Sequence, residues 1–148
     1  MNLIKMLAAA VVLVATSNAH AGPYANELAK CLIDSTSVSD RTALVKWMFS
    51  AASLHPAVKS ISSVSNEQLD EANKNTANLF IKLLTESCEA ETKKALKYEG
   101  EVTIQTSFEV LGQVAGRELF SSPEVTKAMS GLDKHLDEDK LRKLFLEE

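Results

Sequence analysis

From Pro23 onward the apolar residues recur at intervals of three and four, and no run alternates with the two-residue period of a strand. Tyr24, Leu28, Cys31 and Leu32 mark one face of a first helix ending near Asp34, with Pro23 in its first turn. "STSVS" is a turn in which Ser39 is expected to cap the next helix, Asp40 favouring its dipole. That second helix, "DRTALVKWMFSAASLHP", is apolar nearly all round. Leu44, Val45, Trp47, Met48, Phe49, Ala51, Ala52 and Leu54 surround its axis, which predicts a central position. Pro56 ends it near His55. "PAVKSISSVS" should add a helical turn or two, packed as a lid by Val58, Ile61 and Val64.

Ser65 and Gln68 form a capping box for a third long helix, Asn66 to about Glu86, striped by Leu69, Ala72, Thr76, Phe80, Leu83 and Leu84. A kink or restart is expected at Ser87 and Cys88. A short charged helix then runs from Glu89 to Tyr98 and stops at Gly100. The next segment, Glu101 to Phe120, presents Ile104, Phe108, Leu111, Ala115 and Leu119; its "VTI" start is strand-like, but the run does not alternate. Ser122, Pro123 and Glu124 restart a helix, and Asp137 caps a last one carrying Leu141, Leu144 and Phe145. The predicted fold is all-α: an irregular or orthogonal bundle of about six helices around a central apolar helix.

The N-terminal pattern differs. Lys5 precedes the apolar run "LAAAVVLVA", and Ala19 and Ala21 form an A-x-A site, so residues 1–21 read as a cleaved secretory signal peptide. The apolar run is about half of the roughly 20 residues a membrane span needs. Residues 22–148 then form a single domain exposed to an oxidising compartment, the periplasm. There the two cysteines, Cys31 and Cys88, most simply pair, closing a loop of 57 positions. A redox pair would need a C-x-x-C spacing or an activating neighbour, and neither is present.

Charge narrows the partners. The chain has 16 Lys and Arg against 20 Asp and Glu; without Lys5 the balance is more acidic still. An acidic surface argues against nucleic acid and anionic lipid and leaves a basic protein partner open. No segment after the signal is apolar enough for membrane insertion, and the sequence sets no oligomeric state.

Candidate chemistry is sparse. His55 and His135, the histidines beyond residue 21, do not supply the three or four donors of a metal site, and no cofactor motif is present. No G-x-S-x-G turn presents a serine nucleophile. The acid pairs Glu89 and Glu91, and Asp137 and Asp139, have i, i+2 spacing and diverge on a helix. No catalytic residue is therefore named. Four residues remain as binding candidates. Arg41 sits at a helix start, where a cation needs a partner carboxylate or an external anion. Trp47, in an apolar wall, reads first as a core residue, with a binding residue facing a groove as the alternative. His55 stands at a helix end, which favours its charged form. Arg117 lies beside Gly112 and Gly116, a G-x-x-x-G seam expected to admit a neighbouring helix closely.

The residues "DRTALVKWMF...HP" and "VLGQVAGRELFSSPEV" (Val110 to Val125) resemble those of small uncharacterised exported proteins of Gram-negative bacteria, which carry a signal peptide, two cysteines and a D-R-x-x-L-V-x-W-x-F helix. That resemblance brings no activity. In outline alone the chain is also similar to periplasmic immunity proteins that block type VI amidase effectors. The expected function is a non-catalytic, exported protein-binding module, with immunity against a toxin as its specific form. The contrasting expectation is a carrier of a small apolar ligand or lipid, held between the second, third and fifth helices. An enzyme would require polar side chains converging in a cleft.

Overall fold

The computed structural model describes residues 22–146, with side chains to residue 143. The proposed signal peptide lies outside the described residues, as do the side chains of Leu144 and Phe145. Eight α-helices and no strand occur among the described residues. They are α1 (Pro23–Asp34), α2 (Val38–Ala52), α3 (Pro56–Lys59), α4 (Asn66–Lys82), α5 (Glu89–Glu99), α6 (Val102–Ser121), α7 (Pro123–Met129) and α8 (Glu138–Leu146). A π-helical turn, Leu83–Ser87, joins α4 to α5, and a 3-10 turn, Ser130–His135, follows α7.

Local signals set most boundaries. The Ser65–Gln68 capping box starts α4. Gly100, at φ 83, ends α5 in a conformation that disfavours a side chain. Ser122 accepts from the Val125 N–H above Pro123, and Asp137 accepts from the Lys140 N–H. At α2 the cap is Ser37, not Ser39. Ser37 and Asp40 exchange side-chain and backbone hydrogen bonds in a complete capping box, while Ser39 only contacts the Ser37 hydroxyl at 2.9 Å.

The disulfide is present. Cys31 and Cys88 are bonded, with Cα atoms 5.9 Å apart, and tie the end of α1 to the π turn. Leu28, Leu32, Leu83 and Leu111 are essentially inaccessible around it, with Ala95 and Ala115. The "lid" is not built as expected. In the α3 region Val58 and Val64 are half-buried, but Ile61 is 84% exposed.

The apolar second helix is also not central. Of α2 only Leu44 and Ser50 are buried, while Phe49 is 60% exposed and Ala51 and Ala52 are open to solvent. The middle belongs to α6, which packs against α1, α2 and α5 and leads into α7. Its inward residues, Thr103, Ser107, Leu111 and Ala115, recur every fourth position and are mostly small. With Ile104 and Phe108 also packed against the core, α6 takes the position that hydrophobicity alone gives to α2. The buried Ser107 hydroxyl shares its proton between the Thr103 carbonyl one turn back, at 2.8 Å, and the Ala25 carbonyl of α1, at 3.0 Å, so a polar contact as well as packing joins α6 to α1.

Candidate functional site

Each of the four binding candidates has its own surroundings, and they do not converge. Arg41 finds a carboxylate partner. Its Nε donates to Glu118 Oε1 of α6 at 2.6 Å and its Nη1 to the Thr36 carbonyl at 2.8 Å. Its side chain is only 19% exposed. The ion pair thus fastens the start of α2 to α6 rather than presenting a cation to a ligand. The partner is Glu118, the residue after Arg117; Arg117 itself is exposed.

The Gly112–Gly116 seam does not hold a neighbouring helix. A Cβ added at either glycine meets nothing within 4 Å. The seam opens outward into a shallow surface depression lined by Gln113, Gly116, Arg117, Phe120 and Ser121.

Trp47 is half-buried. Its Nε1 donates to Asn73 Oδ1 of α4 at 2.9 Å. Its ring meets Phe80 edge-on at 6.1 Å, and Phe80 lies 4.1 Å from Phe108 of α6. Three aromatic rings thereby bridge α2, α4 and α6 and fill the space between them. His55 is exposed, and its Nδ1 accepts from the Ala57 N–H at 3.2 Å, capping α3. That nitrogen therefore serves the start of the next helix as an acceptor.

The neighbourhood with room for a partner is the outer groove between α2 and α4. It encloses about 710 Å³ and is lined by Thr42, Lys46, Phe49, Val64, Gln68 and Glu71, among others. Phe49 forms its apolar wall, and Leu54 and Ile61, 52% and 84% exposed, lie just beyond α2 in the chain. No group of three or more His, Cys, Asp or Glu side chains gathers into a metal-holding cluster among the described residues. No helix among them is long and apolar enough to cross a membrane.

Three residues that hold the elements in place escape the sequence reading: Glu118, Asn73 and Glu99. The Glu99 carboxylate accepts from the Tyr24 and Ala25 N–H groups, both at 2.9 Å, and so caps α1 from the far end of α5. A glutamate in the last turn of a helix opposes that helix's dipole; this local anomaly is the signal that marks it. Asp40 carries a carboxyl held below its ordinary range, chiefly by the Ser37 hydroxyl and then by the Ser37 N–H.

No protein-family model, curated protein or solved structure matches this chain.

Proposed function

We propose that the protein is an exported, non-catalytic binding module that engages a protein partner through the α2–α4 groove. The observation that carries this reading is the outward apolar surplus of α2. Phe49, 60% exposed, sits in a groove that also offers Val64 and the polar side chains of Thr42, Lys46, Gln68 and Glu71, the mixture of apolar and polar groups that a protein interface uses. The four polar candidates are spent on separate structural contacts or stand alone, so no pair of them forms an acid–base or nucleophilic site. The volume between α2, α4 and α6, where an apolar ligand would be carried, is occupied by Trp47, Phe80 and Phe108. This favours a surface binder over a lipid carrier.

The leader-like residues 1–21 and the Cys31–Cys88 bond support a periplasmic location. The excess of Asp and Glu over Lys and Arg supports a basic partner. An immunity protein that plugs a toxin cleft is the specific form of this proposal. It rests on outline (export, one disulfide, compact helices, acidic balance).

The test is affinity capture from periplasmic extract with tagged residues 22–148 as bait. The expected result is a discrete protein retained by the native bait and by an Ile81→Glu variant, weakened by salt, and lost from a Phe49→Glu variant. Ile81 is an exposed apolar residue of α4 outside the groove. Co-purifying lipid without a protein would favour the carrier instead. A gene for a toxin beside this one would support immunity.

A further inference from the structure

The start of α1 is capped by another helix. Gly22 stands at its N-cap and has no side chain to offer, and the Glu99 carboxylate takes the Tyr24 and Ala25 N–H groups. A Cβ at Gly22 would meet that carboxylate, so a larger residue here would push the Glu99 side chain out of its capping position. The Gly22 nitrogen and this would-be Cβ hang from one Cα, which puts the nitrogen within about 5 Å of the carboxylate. A carboxylate accepting two hydrogen bonds retains lone pairs for more. Among the described residues no cation forms a salt bridge with Glu99. The nearest cation in sequence, Lys97, lies over the Tyr98 ring at 5.0 Å, and Tyr98 stacks on Tyr24. Glu101, at the start of α6, adds negative charge in sequence next to this corner.

We propose that hydrolysis of the Ala21–Gly22 bond completes this cap: the Gly22 ammonium it releases forms an ion pair with Glu99, so removal of the leader locks α1 onto α5. The inference rests on the export reading above. In the step, a signal-peptidase-class endoprotease breaks the amide C–N bond. Water supplies hydroxyl to the Ala21 carbonyl carbon and a proton to the Gly22 nitrogen. That amine takes up a second proton at neutral pH, since an α-amino group titrates near 7.7–8.0. Glu99 is essential to the sign. An ammonium at a helix N-terminus opposes the dipole and stabilises only when a carboxylate outweighs that effect. Before cleavage the same nitrogen is a neutral amide, and the pair cannot form.

The test compares four chains by thermal melting at neutral pH. One begins at Gly22 and one carries the natural Ala19-His20-Ala21 in front of it; each is made with Glu99 and with Glu99→Gln. With Glu99 the Gly22-start chain should melt higher by roughly 3–5 °C. With Glu99→Gln the difference should vanish or reverse, because the dipole penalty is then uncompensated. This comparison of differences does not depend on Glu99→Gln being as stable as the native chain. Equal melting of the two native-sequence chains, or an unchanged difference in Glu99→Gln, would overturn the latch. N-terminal sequencing of the exported protein tests the export reading separately. A start at Gly22 supports both, and any other start removes the cleavage on which the latch depends.

Discussion

Breaking the Cys31–Cys88 bond should remove a large part of the stability. The bond closes a loop of 57 positions. Chain entropy assigns such a closure about 4 kcal/mol at 25 °C, against the 5–15 kcal/mol typical of a domain. Cys88 is fully buried, so serine there would add an unsatisfied hydroxyl; Cys31→Ser with Cys88→Ala isolates the cross-link better. The assay is urea unfolding of the oxidised, reduced and Cys31→Ser/Cys88→Ala chains, followed by Trp47 fluorescence. This chain has one tryptophan, and it lies in α2 rather than in α1 or the π turn that the bond joins, so its signal reports loss of packing beyond the cross-linked elements. The reduced and substituted chains should both lose about 4 kcal/mol, or roughly 12–20 °C in melting temperature for a chain of this size. A loss under about 1 kcal/mol would refute the reasoning. So would unfolding of α1 that leaves Trp47 unchanged.

Other outcomes follow from the same geometry. Gly112→Ala and Gly116→Ala should each stabilise the chain by about 0.5–1 kcal/mol in chemical denaturation, because the added methyls meet open space and glycine disfavours a helix interior. A loss would mean that the seam is occupied in solution. A double-mutant cycle of Arg41→Ala and Glu118→Ala should give a coupling of about 1–2 kcal/mol, above an ordinary surface pair because Arg41 is mostly covered; a coupling near zero would contradict the fastening of α2 to α6. Asp40 sets an acid dependence. Its folded-state carboxyl is lowered below the ordinary 3.8, so its contribution is complete above that value and lost as pH falls through the lowered one. The stability difference between the native chain and Asp40→Asn should therefore be full at pH 6 and shrink steadily below about pH 4, which denaturation at a series of pH values would measure.

Much of the fold is legible in the residues because its signals are local. Ser65 with Gln68, Ser122 with Pro123, and Gly100 act within a few positions of themselves, and the helices begin and end where they say. Pairing of the cysteines follows from their number. What is not legible is which helix lies inside. The pattern of α2 states how much apolar surface it has, not how much its neighbours can cover. The missed signal is on α6, where Thr103, Ser107, Leu111 and Ala115 are all buried although half of them are polar.

The candidate site is less legible still. Arg41 is marked by its unfavourable place at a helix start, but the identity of its partner, Glu118, depends on how α2 and α6 meet 77 residues apart. Glu99 carries a comparable mark and acts on residues 74 and 75 positions away. The groove is a consequence of packing: Phe49 becomes a surface residue only because α6 holds the centre. The spacing of Gly112 and Gly116 suggests a tight helix crossing, whereas nothing packs there.

On the proposed function, the outward face of α2 meets a protein partner at Phe49. Photocrosslinking in cells of the source organism tests this contact, with a photoreactive phenylalanine analogue placed at Phe49 or, as a control, at Ile81. A discrete protein adduct at Phe49 and none at Ile81 is the predicted result. No adduct at Phe49, or the same adducts from both positions, would contradict it.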